Sequence, residues 1–276
     1  MASKSSVADA FEKVKGLFGI EKLKEEQLDI LTSVIRGEDC MVVLPTGFGK
    51  SLPYQVAKTV SNELNHEFHR VIVCSSLISL MQDQVSRLQT HGNLIKAMYK
   101  GQEDCSAVED YDIIFSSSEH LVGNADWRDA LSKLKISLLV VDEFHTVSTW
   151  GELSKDERQK IFRRWFRHLG ELRSIFPNAA MLALSATCTG EIFQEVTRAL
   201  GMTDAKHVIV SPDKFNIRYS VARTGRVMEA SLFWLIDELQ ITDLKEHIDG
   251  SVVDKSNCLV SGKCPRCQTC EVDAAN

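Results

Sequence analysis

Two glycines, a lysine and a hydroxyl fall together in Leu44-Pro45-Thr46-Gly47-Phe48-Gly49-Lys50-Ser51. These are the residue types a phosphate cradle needs. Glycine lets the backbone turn tightly and aim several N–H groups at one anionic centre. A helix starting just after the loop adds partial positive charge. Lys50 supplies a full charge for β- and γ-phosphates, and Ser51 an oxygen for Mg²⁺. The common spelling, G-x-x-x-x-G-K-[ST], wants glycine at position 44, where this chain has Leu44. A bare Gly-x-Gly-Lys-Ser also occurs as an ordinary strand-to-helix turn. A second cluster, Asp142-Glu143-Phe144-His145, brings two carboxylates together. Asp142 could hold Mg²⁺ directly or through water. Glu143 could orient or deprotonate an attacking water. The plain alternative is a solvated acidic turn, but the apolar run Leu138-Leu139-Val140-Val141 just before it favours the metal reading. A third stretch, Ser185-Ala186-Thr187, is either part of the same site or only a helix cap.

These residues need a frame. Apolar runs predict strands at 40–44, 71–75, 95–99, 111–116, 137–141, 181–184 and 207–210. Helical periodicity predicts helices at 5–18, 25–35, 52–64, 77–90, 126–134, 156–175 and 189–200. Strands that are apolar throughout and alternate with helices build a parallel sheet covered on both faces. Ligands of such sheets bind at the carboxyl ends of strands, which is where all three candidate stretches fall.

At 276 residues, with 44% hydrophobic and 25% charged, the chain reads as one large or two small globular domains. No apolar run reaches membrane-spanning length. The polar first ten residues lack the core of a signal peptide, so a cytosolic or nuclear protein without a membrane partner is expected. A net charge of −6 gives no global basic field. A local groove can still bind phosphates through hydroxyls and backbone N–H groups. Cys40, Cys74, Cys105 and Cys188 are scattered and read as small hydrophobes. Cys258, Cys264, Cys267 and Cys270 crowd into the tail.

From about residue 11 to about residue 240 the chain resembles the first motor lobe of superfamily 2 helicases, specifically the RecQ family. Five motifs follow in that lobe's order. The phosphate loop continues into Leu52 and Tyr54-Gln55. Upstream, Phe18-Gly19, Lys24 and Gln27 resemble the adenine-reading motif, with Gln27 carried over as the amide that reads the base edge. Lys24 stands where the family usually has Arg, and Ile20 where an aromatic often stacks. Ser75 to Gln84 resembles a DNA-facing segment, with Ser76, Ser79 and Gln82 as candidate phosphate contacts and Ser76 in place of Pro. The alternative is a capped amphipathic helix with Ser79 and Gln82 facing water. Ser117-Ser118-Glu119 occupies the place of a second DNA-facing motif.

Asp142 to His145 is similar to the DEAH-type box, with Phe144 in place of Ala. The resemblance makes Lys50, Asp142, Glu143 and His145 the catalytic set, and Ser51 and Asp142 the magnesium ligands. Val147-Ser148-x-Trp150-Gly151 and Phe162-Arg163 resemble the loop that couples DNA to hydrolysis. Here a charged insertion, 152–161, separates its two halves. Trp150, Phe162, Arg163, Ser185 and Thr187 are the coupling candidates, Trp150 also reading as a core residue. Residues 211–219 resemble a hinge, and 226–240 the first helix of a second lobe. Cys258, Cys264, Cys267 and Cys270 resemble, at a shorter first spacing, a tetrahedral Zn²⁺ set. The alternative is a reactive thiol tail.

The resemblance thus implies an α/β fold: a RecA-like P-loop NTPase lobe over 1–210 with a mainly parallel sheet flanked by helices. A hinge with the first helix of a second lobe follows over 211–240, and a short irregular, cysteine-rich tail over 241–276. It implies ATP and Mg²⁺ as cofactors, DNA as partner, 3′-to-5′ unwinding as activity, and the nucleus as location. The chain reads as truncated, needing a second motor lobe for turnover. The alternative is a non-catalytic ATP- and DNA-binding modulator that pairs with a full-length helicase.

Overall fold

The computed structural model describes residues 2–90, 94–101, 108–145 and 168–212. They all belong to one compact unit, Met1–Pro212. Trp150, Phe162, Arg163, the second-lobe helix at 226–240 and the four tail cysteines lie outside the described residues.

Each of the seven expected strands is present. They are β1 Cys40–Val43, β2 Arg70–Cys74, β3 Ala97–Tyr99, β4 Ile113–Ser116, β5 Ile136–Val141, β6 Ala180–Ser185 and β7 Lys206–Ile209. They form one sheet in the order β3-β4-β2-β5-β6-β1-β7, every pairing parallel. Successive side chains of a strand point to opposite faces, and here both faces are dry. Cys40, Val42, Val71, Val73, Leu138 and Val140 enter one core cluster. Their neighbours Met41, Val43, Ile72, Cys74, Leu139 and Val141 enter the other. That is why the strands read as continuous apolar runs.

The first cluster contains Val7 and Phe11 of α1 (Lys4–Val14) and Ile30 and Leu31 of α2 (Glu25–Arg36). It also takes Val56 and Val60 of α3 (Leu52–Glu63) and Met81 and Val85 of α4 (Ile78–Gln89). The second takes Trp127 and Leu131 of α5 (Ala125–Ser132), Leu172 of the short α6 (Leu172–Ile175), and Val196 of α7 (Gly190–Ala199). Ser3, Asn124 and Thr189 cap α1, α5 and α7 by accepting from backbone N–H groups of the first turn. The helix predicted over 5–18 is shorter: after Val14 it tightens into a 3₁₀ turn, Lys15–Phe18, and Gly19 stops it at φ 64. Of the helix predicted over 156–175, the described part is a 3₁₀ turn, Leu169–Glu171, followed by α6.

Strand order positions the site. The chain leaves β1 and returns beside it only with β6, so β5, β6 and β1 lie side by side. Val43 pairs with Ser185, and Val141 with Ala183. The loops that leave the carboxyl ends of these three strands therefore converge. At the opposite end Asp39 ties the sheet together. It accepts from Met181 N at 2.8 Å, pairs with Arg173, and receives Lys206 N on its carbonyl at 2.8 Å. Among the described residues no helix is long and apolar enough to cross a membrane.

Phe144, fully buried in the second cluster, stands where the resembled family has Ala. Phe144→Ala is expected to lower unfolding free energy by about 3–5 kcal/mol. Urea unfolding followed by circular dichroism measures it.

Candidate functional site

The phosphate loop is wired to its neighbours before any ligand arrives. Leu44 N donates to Ser185 O at 3.0 Å, extending the β1–β6 ladder by one residue. Phe48 N then closes a turn on Pro45 O at 3.1 Å, with Gly47 at φ 81 and Gly49 at φ 86. Left-handed backbone of this kind favours glycine. Gly49 has a second reason: a Cβ there would sit 2.6 Å from Gln27 Nε2.

Gln27 itself is only 4% exposed. Its Oε1 accepts from Lys24 N at 2.9 Å, and its Nε2 donates to Phe48 O at 3.0 Å and Gly49 O at 3.2 Å. The side-chain amide has two hydrogens to give, and both face the loop. Gln27, expected to read an adenine edge, is in this structure a clamp on the phosphate loop. A base edge would have to win a donor from Phe48 or Gly49. Lys24 Nζ lies 3.9 Å from the Phe48 ring centroid and 3.4 Å from Phe48 O, a cation–π contact on the same loop. Sequence reasoning missed Phe48 as the point both residues hold. The signal was an aromatic side chain between two glycines of the loop.

The acidic cluster faces this loop. Lys50 Nζ stands 3.5 Å from Glu143 Oε1, and Glu143 Oε2 stands 3.2 Å from His145 Nδ1. His145 Nδ1 is also 2.9 Å from Ser185 Oγ. The Ser185 hydroxyl donates to Thr187 O at 2.7 Å, so Nδ1 carries the hydrogen toward Ser185. Lys50, Glu143, His145 and Ser185 thus form one chain of polar contacts across β1, β5 and β6. Glu143 sits at φ 52, a left-handed conformation rare outside glycine. Such strain persists only where the surroundings enforce it. Here Asp142 Oδ1 receives Glu143 N at 3.0 Å and Leu184 O receives Phe144 N at 3.0 Å.

The two carboxylates differ in environment. Burial, reinforced by the like charge of Glu143 and opposed by Lys50, pushes Asp142 up to about 6. The close approach of the His145 ring nitrogen, with the charge of Lys50, holds Glu143 below its ordinary value against its own burial. Asp142 makes no ion pair among the described residues. A partly buried carboxylate in no such pair, on the loop after β5 and separated by β6 from the loop that carries Ser51, fits a hard divalent cation. Mg²⁺ keeps most of its waters and needs only one or two protein oxygens. A cavity of about 490 Å³ lies elsewhere, at the amino ends of the strands, lined by Arg36, His66 and Phe176 among others.

The DNA-facing candidates lie past β2 and β4. Leu77, at the start of α4, gives no side-chain cap, and Ser79 is exposed, as are Leu77, Ile78 and Leu80. The helix is amphipathic, with Met81, Val85 and Leu88 buried and Ser79 and Gln82 exposed as the plain alternative expects, but it lacks the side-chain cap and its first turn also exposes those apolar residues. Ser76 is half-buried, and Gln82 Nε2 donates to the Tyr99 hydroxyl at 3.1 Å. In Ser117-Ser118-Glu119, Ser118 is fully buried, while Ser117 Oγ lies 2.9 Å from His120 Nδ1. Thr187 N lies 3.3 Å from Ser185 Oγ, which ties Thr187 to the acidic cluster through that serine.

The DEAD/DEAH box helicase family model matches residues 24–196, from Lys24 beside Gln27 through the Ser185 loop into α7. The chain belongs to this family. It is 30% identical over 228 residues to the ATP-dependent DNA helicase RecQ of Haemophilus influenzae, covering 80% of this chain and 34% of the relative. It is 33% identical over 235 residues to the probable ATP-dependent DNA helicase RecS of Bacillus subtilis, covering 81% of this chain and 44% of the relative. The helicase lobe therefore spans between a third and a half of the length of these relatives. In fold it is similar to the DUF1998 helicase MrfA in a DNA-bound crystal structure, with TM-score 0.53 and 20% identity over 76% of this chain and 30% of that one.

Two substitutions probe the site. Gly49→Ala brings a Cβ against Gln27 in a strained backbone, and is expected to cost at least tenfold in ATP-analogue affinity by fluorescence titration. Asp142 has a folded pKa above its unfolded value, so its ionisation in the fold destabilises the protein. Stability falls as pH rises from about 4 to about 6. Asp142→Asn removes that burden. Its thermal-stability gain over wild type should grow across this window and be full above it, on the order of 2–3 kcal/mol.

Proposed function

We propose that the chain is the ATP-binding lobe of a RecQ-type, ATP-dependent 3′-to-5′ DNA helicase, whose turnover requires a second lobe closing on the site. The observation that carries this is the continuous contact of Lys50, Glu143, His145 and Ser185 across three adjacent strands. The relatives, ATP-dependent DNA helicases, support the substrate class.

Lys50 compensates Glu143. An arriving triphosphate offers Lys50 more negative charge, and the ammonium turns to the β- and γ-phosphates. Glu143 is then free to accept the proton of a water attacking the γ-phosphorus, while the bond from that phosphorus to the β-bridging oxygen breaks. His145 keeps Glu143 oriented and connects it to the Ser185–Thr187 loop, the route by which strand binding and hydrolysis would be coupled. Ser51 and Asp142 would hold Mg²⁺, which supplies charge neutralisation on the phosphate oxygens when bound. No arginine contacts Lys50, Asp142 or Glu143 among the described residues. Transition-state arginines in such motors are worth about 10³–10⁵ in rate, hence the need for a second lobe. A nuclear location does not follow from the shared lobe, because bacterial proteins carry it too.

The test is ATP turnover with and without single-stranded DNA, alone and with a second lobe added, against Lys50→Ala. DNA-stimulated turnover that Lys50→Ala abolishes is the expected result once a second lobe is present. Background turnover in every condition, with nucleotide binding intact, would point instead to a non-catalytic modulator of another helicase.

A further inference from the structure

The bases of nucleoside triphosphates differ at one exocyclic group: adenine and cytosine carry an amino donor there, guanine and uracil a carbonyl acceptor. Telling them apart takes a donor or acceptor held free for the base, because rejection comes from leaving that group unpaired against the wrong one. Gln27, the amide of the segment that resembles a base reader, is not free. Its two Nε2 hydrogens go to Phe48 O at 3.0 Å and Gly49 O at 3.2 Å, and its Oε1 accepts from Lys24 N at 2.9 Å. The residue is buried, and the amide packs so closely on the loop that a Cβ at Gly49 would lie 2.6 Å from Nε2. A base that took a hydrogen from Nε2 would leave Phe48 O or Gly49 O without its donor. Exchanging one neutral hydrogen bond for another gains little net affinity.

The neighbouring side chains do not replace it. Lys24 Nζ rests 3.9 Å from the Phe48 ring centroid. An ammonium on a flexible stem is a point charge that turns to any acceptor, and it has no planar fork to match one base edge. Lys4 pairs with Asp29 at 2.8 Å and Glu25 at 3.4 Å. Phe18 is buried in the first core cluster and Ile20 packs against that cluster. The phosphate loop, in contrast, meets the same three phosphates whatever base they carry. We propose that the site selects the triphosphate and not the base, so that GTP, CTP and UTP bind about as well as ATP. Gln27 then serves all four equally, as a positioning residue for the loop. This rests on the reading of the loop as a nucleotide site.

The experiment displaces a fluorescent ATP analogue from the full chain with ATP, GTP, CTP or UTP in Mg²⁺, for wild type and for Gln27→Glu. One net hydrogen bond to a base is worth about fivefold in affinity. The four wild-type inhibition constants are expected to fall within that factor of one another. A preference for ATP of more than about fivefold over any of the other three overturns the inference and leaves the phosphate-site reading intact. A wild-type chain that binds no nucleotide overturns both. Gln27→Glu keeps the acceptor for Lys24 N but has no hydrogens to give, and it turns a carboxylate toward two carbonyls. It is expected to weaken all four nucleotides by one common factor of about fivefold or more, because the loop they share loses its hold. A loss confined to ATP would make Gln27 a base reader and overturns the inference. A loss at none of the four removes the clamp and overturns it too. Should Gln27→Glu fail to fold by circular dichroism, the wild-type ratios alone decide.

Discussion

The ion pair between Lys50 and Glu143 joins a loop after β1 to a loop after β5, strands that do not touch. It exists because β6 lies between them and is paired in parallel register with both. Parallel pairing puts all three carboxyl ends on one side, and β6 ends in Ser185, which bonds to His145 and receives Leu44 N on its carbonyl. Loss of β6 would leave two half-sites a strand's width apart. The two dry faces of the sheet hold that register: a slip of one residue would move every side chain to the wrong core.

Within this frame the charges are unevenly settled. Lys50 and His145 both serve Glu143, and Asp142 is left to carry burial and a like-charged neighbour. A site meant only for stability would compensate the more buried acid first. The unfavourable ionisation of Asp142 lowers the stability of the lobe, and a cation held there would recover it. Functional sites commonly hold pKa values apart in this way. The left-handed backbone of Glu143 belongs to the same arrangement, since Glu143 reaches Lys50 while its N–H is held by Asp142 Oδ1.

The adenine-reading segment shows how a departure from family spelling is absorbed. Lys24 in place of an arginine loses a planar fork, and the structure uses the ammonium against the Phe48 ring instead. Gln27 completes the hold on the loop from the other side. The hydrogen bonds that a base edge would need from Gln27 are the ones that shape the phosphate loop, so that a change at Gln27 is felt in the loop.

Much of this was readable along the chain. Apolar runs alternating with helical periodicity gave the parallel sheet, because a strand buried on both faces has no polar side to show. Gly47, Gly49, Lys50, Ser51 and the pair Asp142-Glu143 announced phosphate and metal chemistry, because few other uses need those types together. Strand order was not readable, since periodicity says which faces are apolar and nothing about which strand pairs with which. Gln27 as a clamp, the opposite pKa shifts of Asp142 and Glu143, and the burial of Tyr54 and Ser118 were equally hidden. Each depends on what the fold brings within a few ångströms, and a side chain's partners and dielectric surroundings are properties of packing. The sequence by itself determined which chemistry the chain could attempt; the tertiary structure alone decided which atoms meet to attempt it.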